Sequence, residues 1–134
     1  MKQELDALLC EKYPKMMVNR HGSEMETCMC WGFACGDGWF NLIDILMGNI
    51  QSHIDWKNRE SVVVPQVVLD QVKSKFGGLR FYYTGGDDYI SGLVSMAEAM
   101  SEVTCETCGS PGERQGKGWI YTACDVHGEK NEKL

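Results

Sequence analysis

Cys105 and Cys108 enclose two residues, and Gly109 follows at once. With fifteen residues between, a second pair follows Cys108: Cys124 and His127, again enclosing two. Three thiols and one imidazole in two chelating pairs form the donor set of a tetrahedral Zn²⁺ site. A pair at this spacing closes on one ion when the backbone just beyond it can turn, which Gly109 permits. Four protein ligands leave no position open for water or substrate, so the spacing predicts a structural zinc and not a catalytic one. The competing reading, four unrelated buried residues, does not account for the paired spacing. Zinc deaminases also use a Cys-x-x-Cys pair, but they need an upstream His-x-Glu and a proline before the first cysteine. Here Thr104 precedes Cys105, and the upstream histidines sit in His21-Gly22-Ser23 and His53-Ile54-Asp55. Deamination is set aside.

Other candidate residues are less specific. Cys28, Cys30 and Cys35, with His21 nearby, form either a second metal site or a set of packed small thiols. Cys35 also precedes the Gly36-Asp37-Gly38-Trp39 start of a helix, where a lowered pKa would make it a nucleophile, yet no histidine lies close in sequence. Lys73, Lys75, Arg80 and Tyr82 are the candidate contacts for nucleic acid, since bases stack on basic-aromatic surfaces. Phe76, Phe81 and Tyr83 fall on apolar phases and are expected in the core. Asp87 and Asp88 suit a turn and a helix cap better than a cation. No catalytic carboxylate pair, nucleophile–base set or open metal site can be placed by spacing, so no enzyme is expected.

The elements that position these residues follow from periodicity. A helix is predicted over 2–13, with Leu5, Leu8, Leu9 and Tyr13 on one stripe and Pro14 ending it. Residues 27–34 are strand-like. The longest helix covers 39–54, carrying Trp39, Leu42, Ile43, Leu46, Ile50 and Ile54 inward behind an Asp37 N-cap. Val62 to Val64 suggests a short strand. Pro65 opens a further helix to Phe76, with Val68, Leu69, Val72 and Phe76 inward and Gly77-Gly78 as its stop. Residues 79–84 alternate as a strand. A helix over 91–103 turns Leu93, Met96, Ala97 and Met100 inward and runs into Cys105 as a rigid arm. A strand-like 119–122 then leads to the second pair on the first turn of a short terminal helix, and 128–134 form a frayed polar end. The fold class is α+β, with a mainly helical core, a short strand or hairpin, and a C-terminal treble-clef or ribbon-like zinc finger. One domain over 1–134 is expected, residues 1–104 as core and 105–127 as the zinc module packed on it.

The net charge is −6 over 134 residues, and no third of the chain is basic. That disfavours general affinity for nucleic-acid backbone and favours a protein partner with a basic surface, or simply solubility. No apolar run approaches the roughly 18 residues that span a bilayer. Met1-Lys2-Gln3-Glu4 leads straight into an amphipathic helix and not a signal peptide, so seven cysteines point to a reducing cytoplasm.

Across about residues 28–127 the chain resembles a family of small zinc-finger-containing proteins of tailed bacteriophages and prophages. The likeness rests on Gly36-Asp37-Gly38-Trp39, Val64-Pro65-Gln66, Lys75-Phe76-Gly77-Gly78-Leu79-Arg80-Phe81-Tyr82-Tyr83, Ile90-Ser91-Gly92-Leu93-Val94-Ser95-Met96-Ala97-Glu98, and the zinc residues with Gly118-Trp119-Ile120. The resemblance implies a phage accessory protein in the bacterial cytoplasm, binding a host protein to inhibit antiviral defence, of the anti-CRISPR kind or similar. The alternative is a nucleic-acid-binding zinc-finger protein of phage regulation.

Overall fold

The structure, a computed structural model, describes residues 1–129. Its elements in order are α1 (Gln3–Lys12), β1 (Phe33–Ala34), α2 (Phe40–Arg59), β2 (Val68–Lys75), β3 (Gly78–Thr84), α3 (Asp88–Ser101), β4 (Glu113–Gln115) and β5 (Tyr121–Ala123), with 3-10 turns at Cys28–Trp31 and Asp37–Trp39. The class is α+β. The end of the chain expected to fray lies, from residue 130 on, outside the described residues.

α2 is the spine, burying Ile43, Leu46, Met47, Ile50 and Ile54 as the helical spacing predicts, and it runs five residues beyond the expected end. Asp37 does not cap it. The Asp37 carboxylate instead accepts from the Lys2 backbone N–H at 2.7 Å, tying down the start of α1. On α1, Leu9 is fully buried while Leu8 stays exposed, and the helix is held by polar contacts. Lys12 Nζ and the Tyr13 hydroxyl both reach the Asp44 carboxylate of α2, at 2.7 and 2.6 Å. The buried Asp6 accepts from Arg20 Nε at 2.9 Å and from the Phe33 N–H at 3.0 Å, which pins the irregular 13–32 segment.

The helix expected over 65–76 is a strand. β2 pairs in parallel with β1 on one side and antiparallel with β3 on the other. A register shift between Leu69 and Gln71 inserts one residue, so Leu69 and Val72 both reach the core although three positions apart, a spacing that imitates a helix. Phe76 and Gly77 both take positive φ, 53° and 77°, which is the two-residue hairpin turn whose twist matches the flanking strands. Phe76 is therefore at a hairpin tip and 58% exposed, not inward. Residues 62–64 form no strand; Val64 alone is buried. The strand-like 27–34 stretch shrinks to the 3-10 turn and the two residues of β1.

β3 has a free edge, and α3 closes it. The Leu79 N–H donates to Ser101 Oγ at 2.8 Å and the Phe81 N–H to Glu98 Oε2 at 3.0 Å, so the edge donors are satisfied by helix side chains. That duty sets the rotation of α3. Ile90, Val94, Ala97 and Ser101 are buried, whereas Met96 and Met100, expected inward, are 67% and 49% exposed. Asp87 caps the helix by accepting from the Ile90 N–H at 3.1 Å, and it also meets His53 Nε2 at 2.7 Å. Among the described residues, no helix is long and apolar enough to cross a membrane. Ser101→Ala leaves the Leu79 N–H buried and unpaired, which costs about 1–3 kcal/mol. A denaturation midpoint that does not move would show that the edge needs no such partner.

Candidate metal centre

The Cys105, Cys108, Cys124 and His127 ligand atoms all lie within 4.8 Å of one another. Cys108 Sγ is 3.7 Å from Cys124 Sγ. His127 turns its Nδ1 inward, 3.7 Å from Cys105 Sγ and 3.3 Å from Cys124 Sγ. Sulfurs bound tetrahedrally at about 2.3 Å from an ion sit roughly 3.8 Å apart, whereas a disulfide holds them at about 2.05 Å. The spacing is that of ligands around one ion, and the donor set is compatible with zinc. Among the described residues this is the one cluster of three or more histidine, cysteine or acidic groups close enough to share a metal.

Local backbone geometry makes the cluster. Cys105 and Cys108 sit on a tight turn in which the Gly109 N–H donates to the Cys105 carbonyl at 2.9 Å, with Gly109 at a φ of 83°. β4 and β5 pair antiparallel and return the chain to Cys124, and residues 125–127 form a second turn. Burial opposes the Cys105 thiolate, but N–H groups of Cys124, Cys108 and Thr107 overcome it and bring its pKa down to about 6. The Ser110 hydroxyl and amide likewise lower Cys108. Burial pushes Cys124 up, and the Cys105 sulfur raises His127. Cys105 and Cys124 are buried while Cys108 and His127 reach the surface.

The residues that dock this module were missed from sequence. Glu106, inside the Cys-x-x-Cys pair, accepts from the Gly36 N–H at 2.9 Å and from Ser74 Oγ at 2.8 Å through its two carboxylate oxygens. Its own N–H donates to the Thr122 carbonyl at 3.0 Å, and its carbonyl accepts from the Gly38 N–H at 2.8 Å. A Cβ on Gly38 would stand 2.2 Å from the Cys105 carbonyl oxygen, so only glycine allows this approach. Trp39 Nε1 donates to the Thr104 carbonyl at 2.9 Å. The Gly36-Asp37-Gly38-Trp39 motif is thus a seat for the first ligand pair. From the other side, Arg114 Nη2 donates to the Phe76 carbonyl at 2.7 Å and Thr122 Oγ1 to the Gly77 carbonyl at 2.5 Å, gripping the β2–β3 tip. Nothing in residue type flagged Glu106 beyond its place between two ligands.

The remaining cysteine candidates do not assemble. Cys28 is exposed, Cys30 half-buried and Cys35 buried in the core, and they do not join in a metal-sized cluster. Lys73, Arg80 and Tyr82 do come together with Lys75. Cross-strand pairs Lys73–Arg80 and Gln71–Tyr82, with Lys75 two residues beyond Lys73, put all four on the outer face of the sheet. Between finger and body lies a cleft of about 340 Å³, lined by Gly36, Ser74, Glu106, Trp119 and Tyr121 among others. Comparisons with family models, with characterised proteins and with solved structures give no match to this chain.

Cys35 lacks the exposed, thiolate-stabilising setting of a reactive cysteine. Burial, then the Glu106 charge, push its thiol up to about 12. At neutral pH that leaves roughly a thousandfold less thiolate than a free cysteine carries. Iodoacetamide should label the exposed Cys28 and leave Cys35 unmodified over the same interval, read by peptide mass spectrometry. Equal labelling of the two would refute the buried-thiol assignment.

Proposed function

We propose that this chain is an accessory protein of a tailed phage or prophage, and that it works by binding a host protein and not by catalysis. In this reading Cys105, Cys108, Cys124 and His127 hold a structural Zn²⁺. The tight turn, the β4–β5 hairpin and the ligand-bearing second turn then form a treble-clef or ribbon-like finger. Four protein ligands leave that ion no open position for chemistry; what it supplies is folding free energy.

The observation that carries the binding reading is Trp119. It is 78% exposed at the finger's rim, on the wall of the cleft that the finger makes with the body. A large exposed indole beside a concave surface is the kind of residue that dominates protein interfaces. The net charge of −6 favours a partner with a basic surface. Inhibition of bacterial antiviral defence, anti-CRISPR or similar, is the role that the resemblance to phage proteins suggests, in the host cytoplasm. A second reading, nucleic-acid binding in phage regulation, is favoured by one feature. Lys73, Lys75, Arg80 and the 44% exposed Tyr82 share one sheet face.

Elemental analysis of purified, untagged protein should return one zinc per chain. A chelator should raise hydrogen exchange across 105–123 while β2 and β3 stay protected. Absence of any bound transition metal would remove the structural-zinc reading.

Immobilised protein should retain a specific partner from a bacterial lysate, and Trp119→Ala should weaken retention about tenfold or more with zinc content unchanged. Capture of no host protein by the wild type would count against the binding role. Oligonucleotide binding at low salt with a steep salt dependence would put the second reading in its place.

A further inference from the structure

α2 and α3 lie side by side and antiparallel. The His53 ring, late in α2, stacks on Tyr89 at the start of α3 at 4.3 Å, while Trp39 just before α2 bonds the Thr104 carbonyl just after α3. Between them on the outer surface runs an apolar groove of about 170 Å³, lined by Leu42, Ile45 and Asn49 from α2 and Leu93, Met96 and Met100 from α3. Ile45 and Met96 are about two-thirds exposed and Met100 about half. These six lining positions recur at helical spacing, so they form one continuous strip on each helix. A soluble-facing strip of this kind asks for a cover.

Its charge pattern says what the cover is. A quarter of this chain is charged, with 19 acids against 13 bases, yet the exposed positions of α3 from Tyr89 to Met100 carry no charge. They are Tyr89, Ser91, Gly92, Ser95, Met96, Ala99 and Met100. The exposed positions of α2 from Asn41 to Ser52 are Asn41, Ile45, Asn49 and Ser52, also uncharged. Asp44 points elsewhere, into its contacts with Lys12 and Tyr13, and Glu98 faces the β3 edge. A basic partner would find no carboxylate here to pair with. A twofold contact, by contrast, sets each residue of a patch against the same patch, so a charged position must find its opposite in its own copy. A neutral apolar face meets that condition without any pairing, and self-association interfaces are depleted in charge at their cores.

We propose that this face docks a second copy of the chain, α2 and α3 of one protomer against α2 and α3 of the other in a four-helix layer. Ile45, Met96 and Met100 are the interlocking side chains, and Gly92, Ser95 and Ala99 let the helices come close. The groove shares no lining residue with the Trp119 cleft or with the Cys105–His127 cluster.

Sedimentation velocity on the zinc-loaded full-length protein, over a hundredfold concentration range up to roughly 100 μM, tests this. The expected species has twice the 15.1 kDa chain mass. Met96→Glu, at an exposed position, should shift the protein toward monomer and weaken association about tenfold or more. Ala99→Lys should do the same without removing any apolar side chain. Both should keep the wild-type circular-dichroism spectrum and zinc content. A wild type that remains monomeric throughout overturns the proposal, and so does a dimer that both variants leave intact. So does a monomer that takes up a host protein, if Met96→Glu abolishes that uptake, since the face would then belong to the host protein. Loss of lysate capture by Trp119→Ala in a protein that still dimerises bears on the host-binding reading alone.

Discussion

Glu106 is where the two halves of the molecule are joined. Its carboxylate reaches the Gly36 N–H and the Ser74 hydroxyl, and its peptide group bonds Gly38 and Thr122. One residue thereby links β2, the turn before α2, and β5. It is flanked on both sides by the first ligand pair, so the backbone that orients the sulfurs also orients this carboxylate. A half-buried carboxylate is tolerable because it accepts from two donors placed by two different elements. Loss of either donor would leave one carboxylate oxygen without its partner in the protein, so both elements hold the module in one orientation.

Several elements were legible in the sequence because their patterns have a single interpretation. The apolar positions of α2 repeat over about three turns, and no strand could bury them all. The paired spacing of Cys105, Cys108, Cys124 and His127 is a distance constraint in itself. The β2 segment misled for a definite reason. A bulge inserts one residue between Leu69 and Gln71, and an alternating strand with one insertion presents a three-residue step that copies a helix. Pro65 and Gly77-Gly78 then looked like helix punctuation, when Gly77 in fact supplies a positive φ for a hairpin turn and Phe76 accepts the other. Asp37 misled differently. A side chain suited to capping was claimed by a more distant donor, Lys2, that local sequence cannot reveal.

The rotation of α3 shows how a polar requirement overrides an apolar one. Leu93, Met96, Ala97 and Met100 make the more obvious hydrophobic stripe, yet the helix turns Glu98 and Ser101 toward β3. An unpaired buried N–H costs about 1–3 kcal/mol, and two of them are at stake at Leu79 and Phe81. Leaving Met96 and Met100 largely in water forfeits about as much apolar burial, roughly 1.5–3 kcal/mol for each side chain if fully buried. The helix satisfies the strand edge and carries its surplus apolar surface outward. The exposed groove is thus a consequence of how the sheet edge is closed.

The Cys105–His127 cluster and the cleft are built from the same short stretch of chain. Glu106, Thr107, Trp119, Tyr121 and Thr122 form the finger's side of the cleft, and Ala34, Gly36 and Ser74 the body's side. The finger's hydrophobic cluster is small, Cys105, Ala123 and Cys124 with Tyr121 packed against them. So little apolar surface cannot order twenty-odd residues against the entropy of about 1–2 kcal/mol for each one fixed. An ion held by Cys105, Cys108, Cys124 and His127 would supply the difference. Without one, β4 and β5 would lose their frame, and Thr122 and Arg114 their grip on the β2–β3 tip. The cleft would then open while the body, with its own sheet and helices, kept its core.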